Sequence, residues 1–157
     1  MKLATISLGV AMIGAGWACG QDAAFDDQGV ISQIEAVANG LMAADSARDV
    51  GRVVELYAPD AIMLPPGESP VEGITLIRQR YEAFFRTHAP ALWFVIEETV
   101  AVGDLAYVRG RTRGTIRGLD KIADQSINDV FVMILRRSAS GRWHISRLMW
   151  QPAAGEG

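Results

Sequence analysis

Apolar residues recur at intervals of three and four along the first stretch of the chain that has a clear period. Between Val30 and Ser46, Ile31, Ile34, Val37-Ala38 and Leu41-Met42 form one stripe, the pattern of a helix buried along one side. Asp49 is suited to cap a second, short helix, in which Val50, Val53, Val54 and Tyr57 face inward and which Pro59-Asp60 ends. Ala61 to Leu64 is a brief apolar strand stopped by the Pro65-Pro66-Gly67 turn. Gly73 opens a third helix, Ile74 to His88, with Ile74, Ile77, Tyr81 and Phe84-Phe85 on its inner side, and Pro90 closes it.

From Ala91 onward the period changes to two. Leu92 to Val102, Leu105 to Arg117, Ile127 to Arg137 and Arg142 to Gln151 read as strands separated by short turn signals, Gly103-Asp104 and Ser138 to Gly141 among them. Such spacing predicts an antiparallel meander. Helices followed by a meander make an α+β layout, and a curved sheet wrapped around them leaves a pocket between the layers. The expected organisation is one domain over residues 30–151, with a short tail at 152–157.

The charge balance narrows the partners. With 15 Lys and Arg against 18 Asp and Glu, the formal net charge is -3. A nucleic-acid binder needs a concentrated basic face, so that class is not expected. The start of the chain differs from the rest. Lys2 is followed by an uncharged run from Leu3 to Ala18, and Cys19, the single cysteine, comes next. The run is short for a membrane span and suits a signal peptide over residues 1–18. A lone cysteine cannot form an internal disulfide. Placed directly after Ala18, it resembles the lipid-modified cysteine of a bacterial lipoprotein, with residues 19–29 as a tether. Gly16 and Trp17 depart from the usual residues there, so plain secretion, or a retained membrane anchor or misread start, also fit. Export is the expectation in the first two cases, with contact to the membrane only through the lipid.

The order of residues resembles a known family. Ala43-Ala44-Asp45-Ser46-Ala47-Arg48-Asp49 and Leu56-Tyr57-Ala58-Pro59-Asp60-Ala61 are similar to the helix-to-strand passage of SnoaL-like and ketosteroid-isomerase-like proteins. Pro65-Pro66-Gly67 with Glu72-Gly73, the run from Gly103 to Gly110, and the ending Gly141-Arg142-Trp143-His144-Ile145 to Met149-Trp150 continue the series over roughly residues 30–151. The resemblance implies the cone-shaped fold of the nuclear transport factor 2-like superfamily: three N-terminal helices packed on a curved, mainly antiparallel sheet. It also implies a homodimer and a small-molecule pocket.

The chemistry carries over less well. The resemblance to ketosteroid isomerase implies an aspartate base, with a tyrosine and a protonated aspartate that stabilise an enolate oxygen. In register, Pro65 stands at the base position and Leu41 at the tyrosine position, and only the second aspartate is retained, as Asp129. That catalytic set is therefore absent as such.

Individual residues remain as candidates. Asp129 shares an alternating face with Phe131, Met133 and Leu135. It is either a pocket carboxyl whose pKa desolvation raises or a strand-end aspartate bonding a turn amide. Tyr107, Arg109, Arg111 and Arg113 alternate against Ala106, Val108, Gly110 and Thr112. The family register turns the arginine face toward the pocket, where guanidinium groups would hold an anionic ligand. The opposite orientation gives a solvated outer face. Met63, Leu64 and Trp150 are expected in the pocket wall, and Trp93, Trp143, Tyr57, Tyr81 and Phe85 in the core. His144 alternates with Ser146, Leu148 and Trp150, so it shares their expected face, and a histidine beside a carboxylate could act as a base. His88 ends a helix, where its charge would suit the dipole. No spacing suggests a metal, and no cofactor is implied. The expected role is binding of a small anionic or apolar molecule. The alternatives are a cofactor-independent isomerase, cyclase or hydrolase using Asp129 with His144 or Tyr107, and a dimeric structural or protein-binding module.

Overall fold

The computed structural model describes residues 27–154. The leader, the tether as far as residue 26 and Cys19 lie outside the described residues. The elements run α1 (Asp27–Ala47), α2 (Val50–Glu55), β1 (Tyr57–Leu64), β2 (Val71–Glu72), α3 (Ile74–Thr87), β3 (His88–Val102), β4 (Leu105–Gly118), β5 (Gln125–Arg137) and β6 (Trp143–Pro152). One six-stranded sheet has the order β2-β1-β6-β5-β4-β3. The last four strands form the antiparallel meander that the turn spacing implies. Strand β1 joins β6 in parallel, with Met63 beside Leu148. The architecture is α+β, the cone of helices against a curved, open sheet.

The apolar stripe of α1 lies against the sheet: Ile34, Ala38 and Leu41 are all but inaccessible to solvent. The Thr99 hydroxyl donates to Glu35 Oε1 at 3.0 Å and ties α1 to β3. Asp49 caps α2 by accepting from the Arg52 amide at 3.0 Å. In α3 the stripe Ile77, Tyr81 and Phe85 is buried. Tyr57, Trp143, Met133, Leu135 and Ile145 complete the core.

Prolines act differently from the sequence expectation. The chain leaves α2 at Glu55 and is extended from Tyr57, so Pro59-Asp60 lies within β1. It falls where pairing with β6 is interrupted between Tyr57 and Ile62, so no ladder bond needs the missing proline N–H. Pro90 likewise sits inside β3, opposite Ile116, and not at a helix end. Strand β3 is the sheet edge, where one row of donors has no partner strand. The two-residue β2, paired at Ile62 and Met63, has no signal in the hydrophobic pattern.

Two bulges set which residues face the helices. Glu97 is an extra residue between the pairs Ile96–Gly110 and Glu98–Arg109. Ser146 is extra between Ile145–Leu135 and Arg147–Ile134. Each bulge reverses the alternation beyond it. As a result Trp143 and Ile145 are buried with Leu148, while His144 pairs with Arg136 on the outer side. The expectation that His144 shares the face of Leu148 and Trp150 is thus overturned by Ser146.

Candidate functional site

The concave side of the sheet is built from rows of paired residues. One row is Phe94, Thr112, Asp129 and Pro152; the next is Ile96, Gly110, Phe131 and Trp150; a third is Thr99, Val108, Met133, Leu148 and Met63. Gly110 is there because of its neighbours. A Cβ at this position would run into the Val95 carbonyl and the Phe131 ring. Over that gap Phe94 and Phe131 stack with centroids 4.1 Å apart.

Between these rows and α1 and α3 lies a cavity of about 370 Å³, within the range of small-molecule sites. Its walls are mainly apolar and aromatic: Leu41 and Met42 from α1, Tyr81 and Phe84 from α3, and Phe94, Phe131, Leu148 and Trp150 from the sheet. Pro66 and Glu68 from the β1–β2 connection and Arg80 from α3 also line it. Arg80 is held by both carboxylate oxygens of Glu68, at 2.6 and 2.9 Å.

Besides Glu68, which is paired with Arg80, two carboxyl groups stand in this lining, Asp45 and Asp129. Asp45 is only 6% exposed, and its Oδ1 is buried without a hydrogen-bond partner among the described residues. Burial with no compensating charge pushes its pKa up from 3.8 to about 7. The tyrosines beside it respond in turn. Burial, then the Asp45 charge, holds Tyr81 well above the ordinary tyrosine range. Tyr57 is also raised, first by burial. The two hydroxyls share a hydrogen bond of 3.3 Å. Arg48, the cation closest in sequence to Asp45, donates instead to the Phe85 carbonyl at 3.4 Å. Asp129, half-buried between Thr112 and Pro152, is raised by desolvation alone.

The structure divides the sequence candidates. Met63, Asp129 and Trp150 line the cavity. Leu64 does not, because adjacent strand residues point to opposite faces, and it pairs with Met149 on the outer side. Arg109, Arg111 and Tyr107 are also on the outer, convex side, since Val108, Gly110 and Thr112 are the buried members of β4. Arg109 bonds Glu97 at 2.6 Å and Glu98 at 3.2 Å, and Arg111 bonds Glu97 at 3.2 Å. The arginines therefore make no anion site in the cavity. Small residues occupy the inner face of β4 because the aromatic rings of β3 and β5 fill the space in front of them. Trp93 is likewise on the convex face and 55% exposed, not in the core. His88 stacks on Phe84 at 4.9 Å but does not itself line the cavity.

Sequence reasoning passed over Asp45, although the signal was present. The α1 stripe runs through Ile34, Ala38 and Leu41, and the next position on that face is residue 45. A carboxylate at a stripe position is a buried polar group awaiting a partner.

A family model described as a SnoaL-like domain matches residues 38–149. The chain belongs to the SnoaL-like family. Solved structures place this family member among nuclear transport factor 2-like folds. A ketosteroid isomerase-like protein from Erwinia carotovora atroseptica is 25% identical, with a TM-score of 0.73 over 80% of this chain and 97% of that one. A conserved protein from Planctomyces limnophilus is 22% identical, with a TM-score of 0.74 over 80% of this chain and 99% of that one. A nuclear transport factor 2-like family protein from Streptomyces avermitilis is 14% identical, with a TM-score of 0.71 over 82% and 99% of the two chains. No protein of curated function matches the chain. The SnoaL-like domain thus has the cone fold of these relatives, with a concave pocket in which the carboxyl groups of Asp45 and Asp129 have no ion-pair partner among the described residues.

Proposed function

We propose that this SnoaL-like domain binds one small, mainly apolar molecule in the cone, and that the molecule's polar end donates a hydrogen bond to Asp45. The unpartnered Oδ1 of Asp45 carries this reading. A buried acceptor left unpaired costs on the order of 1–3 kcal/mol, and a ligand donor would remove that cost. The volume and the aromatic walls support an apolar ligand body. The anionic ligand anticipated from Arg109 and Arg111 is not part of the proposal. The test is fluorescence titration with naphthylmethanol, using Met63→Trp to fill the cavity. Saturable binding that Met63→Trp abolishes supports the proposal, and absence of binding to the unaltered protein counts against it.

One observation favours a second reading. A carboxyl titrating at about 7 can both take and give a proton at neutral pH, which suits general acid–base chemistry. In an isomerase of this kind Asp45, in place of Asp129 with His144 or Tyr107, would move a proton between two atoms of one substrate. Its activity should follow a single ionisation near neutrality and be lost in Asp45→Asn.

Two further proposals rest on other grounds. The convex face exposes Trp93, Val95, Val100 and Met149 among charges of both signs, so two copies could meet there about a two-fold axis. Sedimentation would then give twice the chain mass, and a monomer at all concentrations would exclude it. Export with a lipid on Cys19 is proposed from the leader sequence alone. An unmodified Cys19 at the mature N-terminus would contradict it.

A further inference from the structure

We infer that the ligand of this cavity is a lipophilic amine, held as an ammonium ion between Asp45 and the aromatic walls. The inference rests on the small-molecule reading above and narrows its ligand class.

The charged groups of the lining are three carboxyls and one guanidinium, beside the uncharged polar side chains of Tyr81, Thr112, Gln125 and Trp150. Asp45 and Asp129 face the space without an ion-pair partner, and the one lining cation, Arg80, is occupied by Glu68. A ligand carboxylate would therefore meet two carboxyls and no free guanidinium. A neutral alcohol could donate to Asp45 but would leave its charge uncompensated. An ammonium group supplies both the proton and the charge. The rings of Tyr81, Phe94, Phe131 and Trp150 line the same space, and aromatic rings attract cations at their faces. The fold has already removed Asp45 from water, so only the ammonium must be desolvated on binding. The trade is favourable when the partner carboxylate is fixed and otherwise unpaired.

The pH dependence distinguishes this from simple apolar binding. Tyr57 on β1 and Tyr81 on α3 interact with Asp45, and the other ionisable groups of the lining are Arg80 on α3, Glu68 before β2 and Asp129 on β5. Both tyrosines remain protonated throughout the neutral range. Arg80 and Glu68 hold each other charged, as Glu68 is lowered and Arg80 raised by their pairing. Asp45 and Asp129 are left to titrate. Below about 7 Asp45 must release its proton to accept the ammonium, so affinity for the amine falls as pH falls.

The experiment compares naphthylmethylamine, naphthylmethanol and naphthoate by fluorescence titration across the acidic to mildly alkaline range. The amine is expected to bind at least roughly tenfold more tightly than the alcohol above neutrality. That advantage should shrink by roughly tenfold per pH unit below the Asp45 pKa, with naphthoate weakest. In Asp45→Asn, with its fold checked by circular dichroism, the amine-to-alcohol ratio should collapse toward one and lose its pH slope. If the variant does not fold, the pH profile of the unaltered protein decides. Alcohol or naphthoate binding as tightly as the amine, or an amine preference independent of pH, overturns the inference and leaves the apolar-pocket reading standing. Failure of all three to bind overturns both.

Discussion

Replacing Asp45 with asparagine removes one charge from the interior while keeping the side chain's shape. In the folded protein without ligand, burial raises the Asp45 pKa from 3.8 to about 7. The unfolded chain therefore gives up this proton at lower pH than the folded one. The contribution to stability is fully present below the unfolded value and is lost as pH rises through the folded value. At 1.36 kcal/mol per pH unit, an interval of roughly three units is on the order of 4 kcal/mol. Asparagine has no such titration. Urea unfolding of both proteins at a series of pH values should show Asp45→Asn close to the unaltered protein in acid. It should become more stable than the unaltered protein by up to about 4 kcal/mol above neutrality. Asp129 contributes to the pH profile of both proteins, so it cancels in the difference. A stability difference that stays constant with pH would refute the claim that Asp45 is buried without a charge partner.

Other perturbations separate the two sides of the sheet and test the packing behind the pocket. Arg109→Ala with Arg111→Ala should leave naphthylmethanol affinity unchanged, because both side chains pair with Glu97 on the convex face. Exposed pairs of this kind are screened by solvent and contribute little to stability, so the urea midpoint should move little. Gly110→Ala should destabilise by about 1–3 kcal/mol, since its methyl group must displace the Val95 carbonyl and also crowds the Phe131 ring. The same urea assay reads this, and a neutral result would mean that the β3 backbone at Val95 yields easily.

What the sequence made legible follows from how locally each feature is encoded. The α1 stripe, the Asp49 cap and the turns at Gly103-Asp104 and Ser138 to Gly141 are short-range signals, and each marks an element end within a few residues. The meander follows from those turns. The ordered series of family residues led to the cone, and the match over residues 38–149 agrees with it. The starts of β1 and β3 were hidden because prolines that read as helix ends instead lie in the broken pairing of β1 and on the edge strand β3. The inner and outer faces were harder to assign. Strict alternation puts His144 with Trp150, and a single extra residue, Ser146, separates them. On β4 both faces have a plausible partner, and the choice is made by rings from β3 and β5 that close over Gly110. Asp45 was visible as a polar residue on an apolar stripe, but its lack of a partner depends on side chains from α3 and β1 distant in sequence.

Ligand-induced shifts of methionine methyl groups test most directly whether the cone is a binding site. Met42 and Met63 line the cavity, whereas Met149 lies on the convex face. With carbon-labelled methionine, adding naphthylmethylamine should shift the Met42 and Met63 methyl signals in a saturable way and leave Met149 in place. Shifts confined to Met149, or none at Met42 and Met63 under saturating ligand, would contradict the assignment of the cavity as the site.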